Sequence, residues 1–409
     1  FKEASLLQKK NQQTLCRKHK EWLSGKYEAD LSSILNARNA NNFSNILFID
    51  DRVPHPNLGS GYPRCAHLLN KLAQLDFNIT LYPLQFPIDD WNASYQTLDN
   101  NIEIILGGGR AGLHTLLTER KNFFEHIIVS RSHNMEFFKN IITTDESLVK
   151  NTNIIYDAEA LTANRDIMKM EIHNQPFTKL EKEERIKNEI NHASIADSVI
   201  AVSGQEAKIY EREGVKNVHV LGHCINPDPG TKTFEEREGL LFVGALRDEG
   251  SPNIDSLLWF TINVLPLIER EIPSIKLYVV GDHGAASLFT INKKNVLFKG
   301  KLDTVDEMYN QCRVFIAPTR FAAGIPHKVH EAASRGIPSV TTELLAHQLQ
   351  WHNDKELLVG TDAGQFAQQS VRLHQDSKIW NKVRKNGLDA VKRDCSDSAF
   401  EETLKMLVT

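Results

Sequence analysis

"RVFIAPTRFAAGIPHKVHEAASRGIPSVTT", residues 313–342, holds an apolar run, a loop of small residues, a short helical pattern, a Gly-Ile-Pro turn and a second apolar run. Two near-continuous apolar strands joined through a helix cannot form a hairpin. They lie parallel, with the helix covering one face. Working outward, the same unit repeats. "LLFVG" (240–244), "IKLYVVG" (275–281), "NVLFKG" (295–300) and "ELLVG" (356–360) are strands between amphipathic stretches. Upstream, "NILFID" (45–50), "NITLY" (78–82), "IEIIL" (102–106), "HIIVS" (126–130), "NIIYD" (153–157), "SVIAVS" (198–203) and "VHVL" (218–221) form an earlier series. A Pro/Gly/Asp-rich linker, "INPDPGTKTFEEREG", separates the two.

The fold class is therefore α/β, with two Rossmann-like, doubly wound parallel-sheet domains facing each other across a cleft. The expected divisions are a helical, locally basic segment at 1–44, a first domain at 45–225 and a linker at 226–238. A second domain covers 239–376, and helices at 377–409 pack on it with room to cross back to the first. A chain of 409 residues, 41% hydrophobic and 24% charged, can fill two cores and is neither disordered nor fibrous.

Composition also excludes functions. A net charge of -4 gives no basic domain for tracking nucleic acid. Five dispersed cysteines, with no Cys-x-x-Cys pair, argue against a disulfide framework and a zinc site, and fit a reducing cytoplasm. No apolar run approaches the length of a membrane span. Residues 1–26 carry seven basic against two acidic side chains, which reads as a solvated helix or as a surface for peripheral contact with anionic lipid at the inner face of a membrane.

Doubly wound sheets bind ligands at the carboxyl ends of their strands. In the second domain those ends offer Gly244, Arg247, Arg320, Gly324, Ile325, His327 and Lys328. A helix starting at about Pro326 would aim the amides of His327 and Lys328 at an anion, and Lys328 would add a full charge. Glu331, one turn on, could accept from a ribose diol. Arg247 could clamp a phosphate. In the first domain Gly59, Ser60, Gly61 and Arg64 follow the first strand, and Gly108 and Gly109 follow the third. Arg131 and His133 follow the fourth, and Asp157, Glu159 and Arg165 the fifth. Surface ion pairs, helix caps and ordinary helix residues are the structural alternatives for these side chains. Glu206 reads either as a cleft acid or as a first-turn helix Glu.

"GSGYPR", "YDAEALTANR", "VSGQE", "FVGALRDEGSPN", "FIAPTRFAAGIPHKVHEAASRGIPSVTT" and "LLAHQLQW" together resemble the retaining, nucleotide-sugar-dependent glycosyltransferases of family 4, from about residue 45 to 375. The resemblance implies a GT-B fold and a donor sugar nucleotide of UDP, GDP or dTDP type held by the second domain. A glycan or glycolipid acceptor is held by the first, and the setting is surface polysaccharide assembly. It implies no metal and no cofactor, because the leaving diphosphate itself takes the acceptor proton. Arg247, Lys328 and Asp157 become the catalytic group. Glu331, Gly324, Ile325, His327, Gly244, Arg320 and Gln348 become the donor site, with His347 beside it. Gly59, Ser60, Gly61, Arg64, Gly108, Gly109, Arg131, His133, Glu159 and Arg165 line the acceptor side or the cleft. The family's paired acids match Glu331, but the first of the pair falls on Ala323.

That departure keeps a catalytically silent sugar- or nucleotide-binding module as the alternative. A third reading comes from "GGGRAG" (107–112), which satisfies the dinucleotide fingerprint and suggests an NAD-dependent oxidoreductase. It follows the third strand rather than the first, and lacks the acid that should close the next strand. Donor sugar, acceptor and oligomeric state are not encoded in any one motif.

Overall fold

The computed structural model describes residues 2–27, 30–39, 42–59, 61–291 and 294–408. Its first sheet has seven strands: β1 (Asn45–Asp50), β2 (Asn78–Pro83), β3 (Glu103–Ile104), β4 (His126–Ser130), β5 (Asn153–Asp157), β6 (Ser198–Ala201) and β7 (Val218–Val220). All pair in parallel, in the order β3-β2-β1-β4-β5-β6-β7. The second sheet has six: β8 (Leu240–Val243), β9 (Leu277–Val280), β10 (Val296–Gly300), β11 (Val314–Ala317), β12 (Ser339–Thr342) and β13 (Leu358–Gly360). These are also parallel, in the order β10-β9-β8-β11-β12-β13.

The apolar runs form strands because each is covered on both faces. β1 is buried at every position, and one face of its sheet packs Leu47, Val129 and Tyr156 while the other packs Phe48, Leu69 and Ile128. The second sheet repeats this with Phe242, Val279 and Ile316 on one face and Leu241, Phe315 and Val329 on the other. Reversal of strand order between β1 and β4, and between β8 and β11, opens a crevice at the carboxyl end of each sheet. The loops after these four strands carry most of the candidate residues.

Helix Ser377–Asp394 packs on the second domain through Trp380, whose indole N–H donates to the Arg313 carbonyl at 2.7 Å. Helix Asp397–Val408 crosses to the first domain, where Phe400, Leu404, Leu407 and Val408 share a core with Phe48, Leu68 and Leu72. The N-terminal helix Lys2–Lys18 leaves Leu6, Leu7 and Leu15 exposed. No helix of the described residues is long and apolar enough to cross a membrane.

Candidate active site at the facing strand ends

β11 delivers the chain to a loop that turns at Gly324, where φ is +74°. A side chain there would be strained and would press on Ala160 of the opposite domain. The helix that follows is His327–Ser334, with Pro326 one position earlier than expected, as its N-cap. The amides of His327 and Lys328 belong to the first turn and have no intrahelical acceptor. Lys328 Nζ donates to Asn253 Oδ1 at 2.6 Å and lies 5.6 Å from the centre of the Phe242 ring. Among the described residues no carboxylate pairs with it. Burial pulls its ammonium down to about 8.

Asn253, which the sequence did not single out, is placed by a close fit. A Cβ on Gly244, at the end of β8, would come within 2.8 Å of its side chain. The Asn253 amide also donates to the Ala245 carbonyl at 3.2 Å. Gly244 thus makes room for the residue that orients Lys328.

Glu331 sits one turn into the helix, about a third exposed. Burial raises its carboxyl pKa, with Tyr309 and Arg335 pulling the other way. His327 stands with Nδ1 3.8 Å from Glu331 and its ring edge against His223, and burial takes it down to about 4, so it is neutral. Arg247 is exposed in the loop after β8, paired with Asp282 at 2.6 Å. Arg320 is committed to Asp255 through two hydrogen bonds, one of 2.9 Å, and so braces a helix rather than waiting for a ligand. Gln348 donates to the Ala322 carbonyl at 3.4 Å and keeps a buried Oε1 without a partner. His347 is exposed, and its carbonyl accepts from Gln205 of the first domain. Leu349 and Trp351 are core.

In the first domain the strand ends hold a buried ionic network. Both oxygens of Asp157 accept from Arg64, at 2.9 Å each, and neither side chain is more than 1% exposed. Asp157 is therefore a packed structural ion pair and not a group facing substrate, and Arg64 faces inward with it. Arg131, at φ +77°, donates from Nε to Asp50 Oδ1 at 2.8 Å and pairs through Nη1 with Glu159 at 3.1 Å, leaving a buried Nη2 without a partner. His133 pairs with Asp51 at 2.6 Å. Burial raises Asp50 and Glu159 despite the guanidinium groups. Asp51 is also pushed up by burial, but His133, Arg131 and Asn134 together bring it below the usual carboxylate value.

Gly61 lies against this network, since a Cβ there would meet Glu159 Oε2 at 2.1 Å. Gly59 is exposed, and Ser60 lies outside the described residues. Arg165 points outward and pairs with its neighbour Asp166 at 3.1 Å. Gly108 caps and Gly109 opens the helix Gly109–Glu119. The Tyr82 hydroxyl donates to the Gly109 carbonyl at 2.6 Å, and a Cβ on Gly108 would fall 2.4 Å from that hydroxyl. These glycines let a helix start directly on Tyr82. Asp50 and Asp51 are the functional candidates that sequence reasoning missed. The signal was present: two consecutive acids closing the central strand at a topological switch point.

The two domains touch at the cleft floor. Glu206 Oε1 accepts from the Leu161 amide at 3.1 Å and from the Gly324 amide across the cleft at 2.9 Å, while its Oε2 is buried without a partner. Burial raises this carboxyl. Ala323, beside Gly324, brings no acid of its own, and the carboxylate that accepts from the Gly324 amide comes from the opposite domain. Lys169 adds a further bridge by donating to the Gly250 carbonyl at 2.8 Å.

Residues 237–376 match the family described as glycosyl transferases group 1. No curated protein sequence matches the chain. Among solved structures it is similar to sucrose-phosphate synthase from Thermosynechococcus elongatus, at 15% identity over 89% of this chain and 98% of that one, with a TM-score of 0.66. It is similar to TarM of S. aureus, seen with fondaparinux, alpha-GlcNAc-glycerol and UDP, at 9% identity over 90% and 100% of the two chains and a TM-score of 0.67. Anabaena HepE, seen with UDP-glucose, aligns at 12% identity over 88% and 98%, with a TM-score of 0.63. The fold is GT-B. Its second sheet lies within the residues that match this family. In this GT-B chain the crevice of the second domain gathers Lys328, Glu331, His327 and Gly324 on one loop and helix, with Arg247 on the neighbouring loop. The opposite crevice presents Arg131, His133, Asp51 and Glu159.

Proposed function

We propose that this protein transfers a sugar from a nucleoside-diphosphate donor to a glycan or glycolipid acceptor with retention at the anomeric carbon, as the family 4 resemblance implies. The observation that carries the proposal is Lys328, a partly buried ammonium whose hydrogen-bond partner among the described residues is a neutral amide. An unpaired cation at that depth is costly until an anion arrives. A diphosphate would restore its full charge, with the amides of His327 and Lys328 and the exposed Arg247 completing the cradle. Glu331 takes the ribose diol. UDP is the first base to test, because HepE and TarM were seen with UDP compounds.

The anomeric C–O bond to the diphosphate breaks, the acceptor oxygen bonds the same face of the carbon, and the acceptor proton passes to the departing diphosphate. No protein nucleophile and no metal is required. Lys328 and Arg247 stabilise charge growing on the leaving group, while Arg131 and His133 orient the acceptor. Asp157 holds Arg64 in place instead of taking part, a change from its expected catalytic role. The exposed basic N-terminal helix supports peripheral contact with an anionic membrane surface, where a lipid-linked acceptor would be met.

The test is nucleoside diphosphate release from a panel of UDP, GDP and dTDP sugars, with and without mixed glycan acceptors. Release with one donor, and an α- or β-linked product matching the donor's configuration, supports the reading. Nucleotide binding without release on any donor would favour the silent module, for which Ala323 speaks. Packing of Gly108 against Tyr82 gives this glycine a structural role, and the fingerprint follows the third strand rather than the first, which speaks against a dinucleotide.

A further inference from the structure

On the side of the molecule where the chain passes between domains, three side chains from distant parts of the sequence converge. His67 lies on helix Gly61–Gln74, Cys224 follows β7 as the chain leaves the first domain, and Asp397 opens the helix that returns to it. We propose that His67 Nε2, Cys224 Sγ and Asp397 Oδ1 form a binding site for a zinc-class divalent cation that staples the two interdomain crossings to the first domain.

The geometry supports this on four counts. Asp397 Oδ1 lies 3.4 Å from His67 Nε2 and 3.5 Å from Cys224 Sγ, and all three atoms fall within 4.8 Å of one another. Tetrahedral zinc bonds to N, O and S require ligand separations of about 3.3 Å for N···O and about 3.5 Å for S···O. The two separations from Asp397 Oδ1 therefore already match coordination spacing, and the imidazole and thiol stand within 4.8 Å of each other. His67 Nε2 is buried, with the Asp397 carboxylate as its neighbour and no well-formed hydrogen bond among the described residues, and its ring is fixed edge-on to Phe400 at 4.9 Å. The other oxygen of Asp397 accepts from Lys71 at 2.8 Å, which orients the carboxylate so that Oδ1 faces the other two donors. The charge of Lys71 is shared with Glu401 at 3.6 Å, so the ammonium is not directed at the site alone. Asp397 is 43% and His67 32% exposed, which gives an entry path and a place for water as fourth ligand.

Binding replaces the thiol proton of Cys224, so each ion bound releases one proton. A thiolate, an imidazole and one carboxylate suit zinc better than magnesium or calcium, which prefer all-oxygen sites. The backbone beside the site is already tied, since the Ile225 amide donates to the Cys395 carbonyl at 3.1 Å. A bound ion would join Cys224 and Asp397, the two crossing segments, to the helix that starts at the glycine loop, and so restrict how the domains turn on each other. The proposal does not depend on the sugar-transfer reading.

The test is titration of the full chain with Co(II), in a Cys16→Ser background that removes the exposed thiol. One equivalent should give a near-ultraviolet thiolate-to-cobalt band with visible ligand-field bands, all displaced by Zn(II). Cys224→Ser should abolish the near-ultraviolet band, while His67→Gln and Asp397→Asn should weaken Zn(II) binding at least about tenfold. Zn(II) should raise Tm and EDTA should reverse the rise. Absence of the band in the background protein, or unchanged affinity in Cys224→Ser, overturns the proposal whether or not any variant folds less well.

Discussion

Replacing Lys328 with methionine should stabilise the protein and weaken nucleotide binding at once. Holding this ammonium at about 8, against an ordinary value near 10.5, costs the charged form on the order of 3 kcal/mol. Solvent on the cleft side trims that to about 2 kcal/mol. Loss of the hydrogen bond to Asn253 returns up to about 1 kcal/mol. The net gain of about 1–2 kcal/mol corresponds to a rise of roughly 2–6 °C in Tm, readable by calorimetry. The sign follows from linkage. Between about pH 8 and 10.5 the unfolded chain holds the proton and the folded one does not. The stability missing below pH 8 is therefore recovered as pH rises through that window, and Lys328→Met should flatten this limb. Binding runs the other way. A diphosphate re-protonates Lys328, so UDP titrated at pH 8 in buffers of different ionisation enthalpy should take up about half a proton, and almost none at pH 6.5. The variant should show no uptake and bind UDP about 10- to 150-fold more weakly. A fall in Tm, or proton uptake that persists in Lys328→Met, would refute the assignment of Lys328 as an anion-seeking cation.

Three further substitutions separate roles within the same cleft. Glu331→Ala should leave Tm within about 1 °C, since the carboxylate is partly exposed, yet weaken nucleoside diphosphate binding about tenfold by calorimetric titration. Glu206→Ala should leave the amides of Leu161 and Gly324 without an acceptor, cost about 1–3 kcal/mol in denaturant unfolding, and enlarge the radius of gyration as the cleft loosens. An unchanged scattering profile would argue against the clamp. Asp157→Asn should cost about 3–5 kcal/mol, because it leaves Arg64 charged and buried. Full turnover per folded molecule in that variant would fit a structural ion pair, and a folded but inactive variant would restore Asp157 to catalysis.

Much of the architecture was legible because it is local. Continuous apolar runs such as Asn45–Asp50 and Leu240–Val243 report burial on both faces, and the interval between runs reports a crossover helix. The placement of the candidate residues from Gly324 to Glu331 on one loop and one helix was legible. Placement was not legible where side chains are held by partners far away in the chain. Arg64 and Asp157 both stand at a cleft mouth by position, yet they face each other in the interior. Arg320 follows a strand end like a ligand residue, but Asp255 occupies it. The glycines at 108 and 109 were placed at the cleft and matched a dinucleotide fingerprint, yet a Cβ at Gly108 would meet Tyr82 on the adjacent strand and one at Gly109 would meet Pro87.

The sequence by itself determined two parallel sheets, the linker between them and the helix that presents Lys328 and Glu331, because periodicity and turn chemistry act over a few residues. Only the tertiary structure decided which charges are spent on one another and which remain for a ligand. Asp157 with Arg64, Glu206 with Gly324, and His67 with Cys224 and Asp397 are pairings across long stretches of chain. Their energies depend on separation and on burial in a medium of low polarity. Neither quantity exists until the two sheets have closed on each other.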